Sequence, residues 1–149
     1  MIAVAHTRFG PLGVESDGAA IVALHWQAAP CGDSALLREA VAQLEAYDAG
    51  RLTDFDLPLA PAGSGFQQQV FTALRAIPYG ETLTYGEIAT ALTCAAQPVG
   101  QACGANPIPL IIPCHRVLSQ NGIGGFSGAG GVEGKIALLK HEGGFPFLL

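Results

Sequence analysis

The segment Asn106-Pro107-Ile108-Pro109-Leu110-Ile111-Ile112-Pro113-Cys114-His115-Arg116-Val117 sets the arrangement of the second half of the chain. Its apolar middle is typical of a buried strand or a packed extended segment, and its three prolines exclude a helix interior. A thiol needs a base or a local positive charge to become a nucleophilic thiolate, so His115 is a candidate base for Cys114. In an extended segment neighbouring side chains point to opposite faces. Contact would therefore need a turn or a bridging water, with a third group orienting the ring. The alternative is a buried structural cysteine, a common state of free cysteines.

The composition is that of a compact globular protein. The chain has 149 residues, of which 50% are hydrophobic and 13% charged, enough for one domain or for two small ones sharing a core. No apolar run reaches the length of a membrane span, and no basic start leads into a short apolar run with a cleavage site. We therefore expect a cytoplasmic protein without a membrane segment or a signal peptide.

The cysteines and histidines do not form a metal-binding pattern. There are four of each, and no two cysteines have the Cys-x-x-Cys spacing. The histidines do not lie at metal-ligand spacing from the cysteines, so no zinc site is expected. Reduced cysteines fit this pattern better than a disulfide framework, although the even count leaves a bridge open.

The negative charge lies in the first part of the chain. Residues 1–62 hold eight acidic and three basic residues, whereas residues 63–149 hold four of each, so the net charge of -5 belongs to the first part. Neutralisation of phosphates dominates affinity for nucleic acids. Any DNA-binding surface must therefore lie on the neutral second part, and its binding should be weak and only modestly dependent on salt.

Residues 1–62 predict a small N-terminal antiparallel sheet with one helix. Residues 2–9 alternate loosely until Gly10-Pro11 breaks the run, 13–15 form a short segment, and 19–26 are rich in apolar residues, which predicts two or three strands. Apolar residues then recur at threes and fours, which predicts a helix from about 34 to 48.

Residues 63–149 predict a mostly helical C-terminal domain that contains a helix-turn-helix. Helices are expected after the capping residues Ser64 and Thr84, then over 97–105 and 132–141. The second and third of these, joined by a tight turn, have a helix-turn-helix outline, although most helix pairs of this kind are structural. Together the two parts predict an α+β fold.

The helix over 97–105 has a surface with almost no side-chain bulk, because four of its nine residues are glycine or alanine. A reader of the major groove needs Arg, Asn or Gln side chains directed at base edges, and this helix offers only Gln97 and Gln101. Close approach without side-chain readout favours a shallow minor-groove contact that tolerates any sequence.

Several blocks of sequence follow one another between residues 64 and 143. They are Phe66-x-x-x-Val70-Phe71-x-x-Leu74-x-x-Ile77-Pro78-x-Gly80, Tyr85-Gly86-Glu87-Ile88-Ala89, Val99-Gly100, Asn106-Pro107, Ile112-Pro113-Cys114-His115-Arg116-Val117, Gly124-Gly125-Phe126-Ser127-Gly128 and Lys135-x-x-Leu138-Leu139-x-x-Glu142-Gly143. In this order they resemble the O6-alkylguanine-DNA alkyltransferase family. The Pro-Cys-His-Arg-Val block is highly specific to that family, whereas the first 60 residues match it only in layout.

The resemblance implies direct repair of O6-alkylguanine in DNA, and of O4-alkylthymine as well. The alkyl group would move irreversibly to Cys114, so that one molecule repairs one lesion without a metal or a cofactor. The partner would be double-stranded DNA, contacted through the minor groove by a monomer. The damaged nucleotide would be rotated out of the duplex into the protein.

The resemblance also assigns the catalytic roles. Cys114 would attack the alkyl carbon as a thiolate, and His115 would take its proton through a water molecule. Glu142 would hold the imidazole in the right tautomer and offset its positive charge. Tyr85 would donate its hydroxyl proton to the purine as attack proceeds.

The remaining family positions concern substrate and DNA. Ser127 would contact O6, Asn106 would tie down the loop that carries the cysteine, and backbone groups near Val117 would read the base edge beside Phe126. The positions assigned to DNA contact are Gln97, Pro98, Gly100, Gln101, Ala102 and Arg116.

One departure from the family pattern concerns DNA binding. The family places an arginine at the start of the recognition helix, where Gln97 stands here, and glutamine lacks the charge and the guanidinium plane. We therefore expect weaker binding and slower repair, most evident on duplex DNA. One alternative is an alkyltransferase-like lesion-binding protein with weak or absent transfer. Another is a Cys-His-Glu hydrolase or a helix-turn-helix regulator without a repair role. Cys114 argues against the first, and the small-residue helix argues against the second.

Overall fold

The computed structural model describes residues 1–126 and 131–144, and the chain divides into two units, Met1–Ala62 and Gly63–Leu149. The first unit is a sheet with one helix and the second is mostly helical, which confirms the predicted α+β fold. Within the described residues, no helix has both the length and the apolar character needed to cross a membrane.

The first unit is built on three antiparallel strands. They are β1 (Ile2–Thr7), β2 (Gly10–Ser16) and β3 (Ile21–Trp26), in the spatial order β1-β2-β3. The first run does end before Gly10, at Thr7, but Gly10 and Pro11 are not outside the sheet, because they open β2 and pair with Thr7 and His6. Proline is tolerated at the beginning of a strand, and the positive φ of Gly10 follows the turn before it.

A single helix, α1 (Ala35–Asp48), packs on β1 and β2. Ser34 caps it, because its hydroxyl accepts a hydrogen bond from the Leu37 N–H at 3.1 Å. The residues α1 buries lie three or four apart and are Leu37, Ala40, Leu44 and Tyr47. The predicted helix from about 34 to 48 is therefore confirmed.

The second unit contains four helices in its described residues. They are α2 (Gly65–Arg75), α3 (Tyr85–Leu92), α4 (Ala96–Gly104) and α5 (Gly131–Glu142). Ser64 and Thr84 each form a reciprocal capping box, with the side chains of Gln67 and Glu87. A short parallel pair, β4 (Leu83–Thr84) and β5 (Val117–Leu118), lies directly before α3 and after the Cys-His-Arg segment.

Helices α3 and α4 are separated by only three residues, 93–95. Thr93 ends α3 in the left-handed region with φ 56°, which reverses the chain within a few residues. Helix α4 contacts both α2 and α3. This is the pair in which the sequence predicts a helix-turn-helix.

The apolar run before Cys114 is not a strand. Residues 108–112 form successive tight turns, in which Ile112 N–H donates to Ile108 O at 2.9 Å and Ile111 N–H to Pro109 O at 2.9 Å. The left-handed backbone of Leu110, with φ 73°, reverses the chain inside the run. The side chains still enter the core, because Ile108, Leu110 and Ile112 are all buried.

Candidate active site

The Cys-His-Arg segment, Cys114–Arg116, is a single turn of 3-10 helix. With three residues per turn, successive side chains point about 120° apart. The three side chains therefore take different directions from one short segment. Of the two links that the sequence left open, a turn or a bridging water, the turn is present, and it directs the thiol away from the two basic side chains.

Cys114 faces a cavity of about 480 Å³ at the protein surface, although only 5% of the residue is exposed. The cavity lies between the start of α3, one face of α4, the 3-10 turn and the loop that precedes α5. The residues that line it are Tyr85, Gly100, Cys103, Gly104, Cys114, Gly125 and Phe126. Its size falls within the range typical of sites for small organic groups.

Asn106 holds the loop that carries Cys114. Its side-chain amide donates to Ile112 O at 2.9 Å and accepts from the Ile108 N–H at 3.0 Å, and all of these groups are buried. The Asn106 side chain also bonds to the Cys114 thiol. One buried residue therefore fixes both ends of the folded loop and touches the sulfur.

His115 is fully buried beside the last residue of α5. Its Nε2 lies 2.8 Å from Glu142 Oε2. The same carboxylate accepts two bonds from Arg116, from Nε at 2.8 Å to Oε1 and from Nη2 at 3.1 Å to Oε2. A carboxylate held by a guanidinium stays ionised and can only accept hydrogen bonds.

This arrangement fixes the tautomer of the neutral ring. Because Glu142 only accepts, Nε2 of His115 must carry the ring proton, and Nδ1 is left with a lone pair. Nδ1 has no hydrogen-bond partner among the described residues. Burial lowers the pKa of His115, Glu142 raises it, and the positive charges of Arg116 and Lys135 lower it again, with a net downward direction. The ring is therefore neutral and its Nδ1 can accept a proton.

The Cys114 thiol is protonated in the resting protein, because burial raises its pKa above the ordinary value. The hydrogen bond from Asn106, the charge of Lys135 and the backbone N–H of Cys114 act in the opposite direction but do not outweigh burial. Attack by this sulfur therefore requires a base at the moment of reaction.

Tyr85, the first residue of α3, also faces the cavity. Burial raises its pKa to about 12, with smaller contributions from Cys103 and Cys114. Its hydroxyl therefore keeps its proton at neutral pH and is a hydrogen-bond donor to whatever enters. Gly124 packs behind the ring: a Cβ there would lie 3.1 Å from Tyr85 Cε2 and 3.2 Å from Ser119 N, on a backbone with φ 74°.

Lys135 is a functional candidate that our sequence interpretation missed. Its ammonium group donates to Val117 O at 2.5 Å and to Gly125 O at 3.1 Å, and lies 5.7 Å from the centre of the Tyr85 ring. Burial lowers its pKa to about 8. A signal was available, because Lys135 precedes Leu138 and Leu139 by three and four residues and so shares their buried helix face.

Cys103 is a second missed residue. It projects from α4 into the same cavity as Cys114. The other described residues of α4 that line the cavity, Gly100 and Gly104, are glycines. Burial raises its pKa to about 12. It therefore presents a neutral thiol next to the candidate nucleophile.

Two of the predicted DNA contacts are buried in this structure. Arg116 is 5% exposed, and its guanidinium is directed inward to Glu142, to Ile77 O at 2.7 Å and towards the ring of Tyr79 at 5.7 Å. Ala102 is buried because it lies on the inner face of α4 with Val99 and Cys103.

The other predicted contacts on α4 lie towards its outer face or its beginning. Gln97 and Gln101 are exposed, while Pro98 and Gly100 are partly buried. Ala95, at the N-cap position, provides no side-chain bond to the helix. The first amides of α4 are therefore left without a capping side chain.

The substrate positions are placed as follows. Phe126 lines the cavity, but Val117 does not. The Val117 N–H donates to Cys114 O and its carbonyl accepts from Lys135, so both of its backbone groups have partners within the protein. Ser127 lies outside the described residues.

The sequence matches one family model and close relatives. A model described as the DNA binding domain of 6-O-methylguanine DNA methyltransferase matches residues 65–144, more than half of the chain. The methylated-DNA--protein-cysteine methyltransferase of Methanosarcina acetivorans is 53% identical over 109 residues, which are 71% of this chain and 69% of that protein. The protein of the same name from Mycobacterium bovis is 49% identical over 121 residues, 79% of this chain and 70% of that protein.

Solved structures show the same likeness over nearly the whole chain. Mycobacterium tuberculosis O6-methylguanine methyltransferase has a TM-score of 0.82 at 39% identity, covering 95% of this chain and 92% of that chain. The Mycobacterium tuberculosis OGT in complex with DNA has a TM-score of 0.84 at 42% identity, covering 94% of this chain and 91% of that chain.

Proposed function

Because the chain belongs to the family of methylated-DNA--protein-cysteine methyltransferases, we propose that it repairs O6-alkylguanine in DNA by moving the alkyl group to Cys114. The observation that carries the proposal is that Cys114 lines a surface cavity while the neighbouring imidazole is oriented by a buried carboxylate. A thioether is stable in cells, so each molecule acts once. The reaction needs no cofactor.

The chemical step begins with removal of the thiol proton. His115 takes this proton on Nδ1 through a water molecule, and the resulting imidazolium is stabilised by Glu142. The sulfur attacks the alkyl carbon, the S–C bond forms, and the C–O6 bond breaks with its electron pair moving into the purine. Tyr85 gives a proton to the purine, so that neutral guanine leaves. Exchange with solvent then restores the protonation states of Tyr85 and His115.

Lys135 supports this step electrostatically. Its positive charge lowers the pKa of Cys114 and opposes the effect of burial. Its bonds to Val117 O and Gly125 O tie the chain after the 3-10 turn to the loop beside Phe126. The negative charge that forms on the sulfur when its proton leaves, and that moves into the purine during attack, therefore develops beside a fixed cation.

DNA binding is assigned to α4 acting as the second helix of a helix-turn-helix in the minor groove of duplex DNA. Its exposed Gln97 and Gln101 carry no charge, and its uncapped first amides suit a phosphate oxygen. The DNA complex of the Mycobacterium tuberculosis relative supports binding of DNA. We assign the protein as a monomer and O4-alkylthymine as a further substrate. The cytoplasmic location expected from the sequence stays a prediction.

Mass spectrometry of the protein after reaction tests the proposal. Incubation with a duplex oligonucleotide carrying one O6-methylguanine should add one methyl group to the peptide that contains Cys114. A Cys114→Ser variant should remain unmodified, and a Cys103→Ser variant should still be methylated, which excludes the second thiol of the cavity as acceptor. An unchanged protein mass together with retarded lesion DNA in a gel would instead indicate a lesion-binding protein without transfer.

A further inference from the structure

Arg116 sits in the interior with a full set of partners. Two of its nitrogens bond both oxygens of Glu142, at 2.8 Å and 3.1 Å, and a third donates to Ile77 O at 2.7 Å. The guanidinium also stacks near the Tyr79 ring. It does not line the cavity. A role for this residue in repair must therefore act through Glu142.

The charge balance around His115 depends on this ion pair. With Arg116 present, the buried carboxylate is already neutralised, so protonating His115 would add an unbalanced positive charge to the interior. Without Arg116, the carboxylate would be left unbalanced, and protonating His115 would neutralise it. An imidazolium cannot accept the thiol proton. The arginine therefore opposes protonation of His115 in the resting protein, before the ring has received the Cys114 proton.

We propose that Arg116 is a positioning residue that neutralises Glu142 and thereby keeps His115 an unprotonated base whose Nδ1 is free to receive the Cys114 proton. This inference rests on the proposed function, because it gives His115 the role of the base. The same carboxylate thus serves two basic side chains: it orients one and is held ionised by the other.

The direction of the effect follows from the groups around the ring. Glu142 and Lys135 face His115 from α5, and Cys114 and Arg116 flank it on the 3-10 turn. Burial, then Arg116 and Lys135, lower the pKa of His115, and only Glu142 raises it. Removing Arg116 removes a lowering contribution, so the pKa rises. Because the reaction needs the neutral ring, the acidic limb of the pH–rate profile moves to higher pH.

The test compares the full chain with Arg116→Met and Arg116→Lys. Rates of methyl transfer from an O6-methylguanine duplex are measured between pH 5 and 7.5, below the pKa of about 8 of Lys135. Arg116→Met should move the acidic limb to higher pH by roughly one unit. At a given pH on that limb the variant should therefore react about tenfold more slowly than the wild type. Arg116→Lys keeps the positive charge, so its limb should stay within half a unit even if its rate is lower throughout. A uniform fall in the rate of Arg116→Met at all pH values would mean a merely structural role and would overturn the proposal.

Two further measurements keep the proposal testable if Arg116→Met folds poorly. The double variant Arg116→Met with Glu142→Gln has no unbalanced charge, so its limb should return to that of the wild type or below it. Nitrogen NMR of the wild-type histidine rings, with His115 identified by its loss in His115→Gln, should show a neutral ring protonated at Nε2 at pH 6. A charged ring at that pH contradicts the proposal. Because the NMR measurement needs no lesion, it also separates this inference from failure of the repair activity itself.

Discussion

Replacing Asn106 by alanine should both destabilise the second unit and slow alkyl transfer. The substitution removes two hydrogen bonds and leaves the Ile108 N–H without a partner inside the core, while the Ile112 carbonyl keeps its bond from the Cys114 N–H at 2.8 Å. A buried polar group that loses its partner costs about 1–3 kcal/mol. The second lost bond, to a carbonyl that keeps another partner, costs about 0.5–1.5 kcal/mol. The expected loss in the free energy of unfolding is therefore about 1.5–4.5 kcal/mol, a large part of the stability of a small protein.

Urea unfolding measures this loss directly. With a typical denaturant dependence of about 1–3 kcal/mol per molar urea, a loss of about 3 kcal/mol lowers the midpoint by roughly 1–3 M. Transfer from O6-methylguanine DNA, measured below that midpoint, should also slow. The reason is that the side chain of Asn106 bonds to the Cys114 thiol and lowers its pKa.

The matched control is Gln101→Ala, on the exposed face of α4, which should leave the unfolding midpoint unchanged. If Asn106→Ala shifted the midpoint by less than about 0.3 M, the folded loop would not depend on this side chain. If it lost stability but reacted at the wild-type rate on folded protein, the loop would not position the sulfur. Either result refutes the reasoning.

Three further substitutions test other parts of the site. Lys135→Met should slow methyl transfer roughly ten- to a hundredfold below pH 8, and the difference should shrink at higher pH, because the wild-type lysine loses its charge there. Gly124→Ala should lower the free energy of unfolding by at least about 1–2 kcal/mol, since the new methyl group meets Tyr85 on a left-handed backbone, and a thermal melt that is unchanged would contradict this. Gln97→Arg should raise the rate on duplex DNA while leaving the rate with free O6-benzylguanine nearly unchanged. Equal rates on duplex before and after the change would show that the glutamine does not limit DNA binding.

Local patterns in the sequence predicted the elements whose causes are themselves local. The helices α1, α2 and α3 begin where Ser34, Ser64 and Thr84 can cap them, and each capping bond is present. The three-stranded sheet followed from short apolar runs divided by turn residues. The path of residues 108–112 was not predictable in the same way, because its turns depend on a side chain outside the run, that of Asn106.

The errors at the site have the same origin. Arg116 is among the positions assigned to DNA contact, but its guanidinium pairs with a carboxylate 26 residues further along the chain. Nothing in the local pattern specifies such a partner. Ala102 was assigned to DNA from the lack of bulk in its helix, whereas the phase of Val99 and Cys103 already marked it as inward. Lys135 was overlooked because a lysine is expected at the surface, although its spacing from Leu138 and Leu139 places it on the buried face of α5.

The raised pKa of the Cys114 thiol has a consequence for a molecule that reacts only once. A permanently ionised sulfur would be consumed by any small electrophile that diffused past, and each such encounter would waste a whole protein chain. A sulfur that stays protonated until a base relieves it is slow towards stray reagents such as iodoacetamide. The sulfur is therefore preserved for reaction with a lesion that occupies the cavity, where the thiol proton can pass to His115.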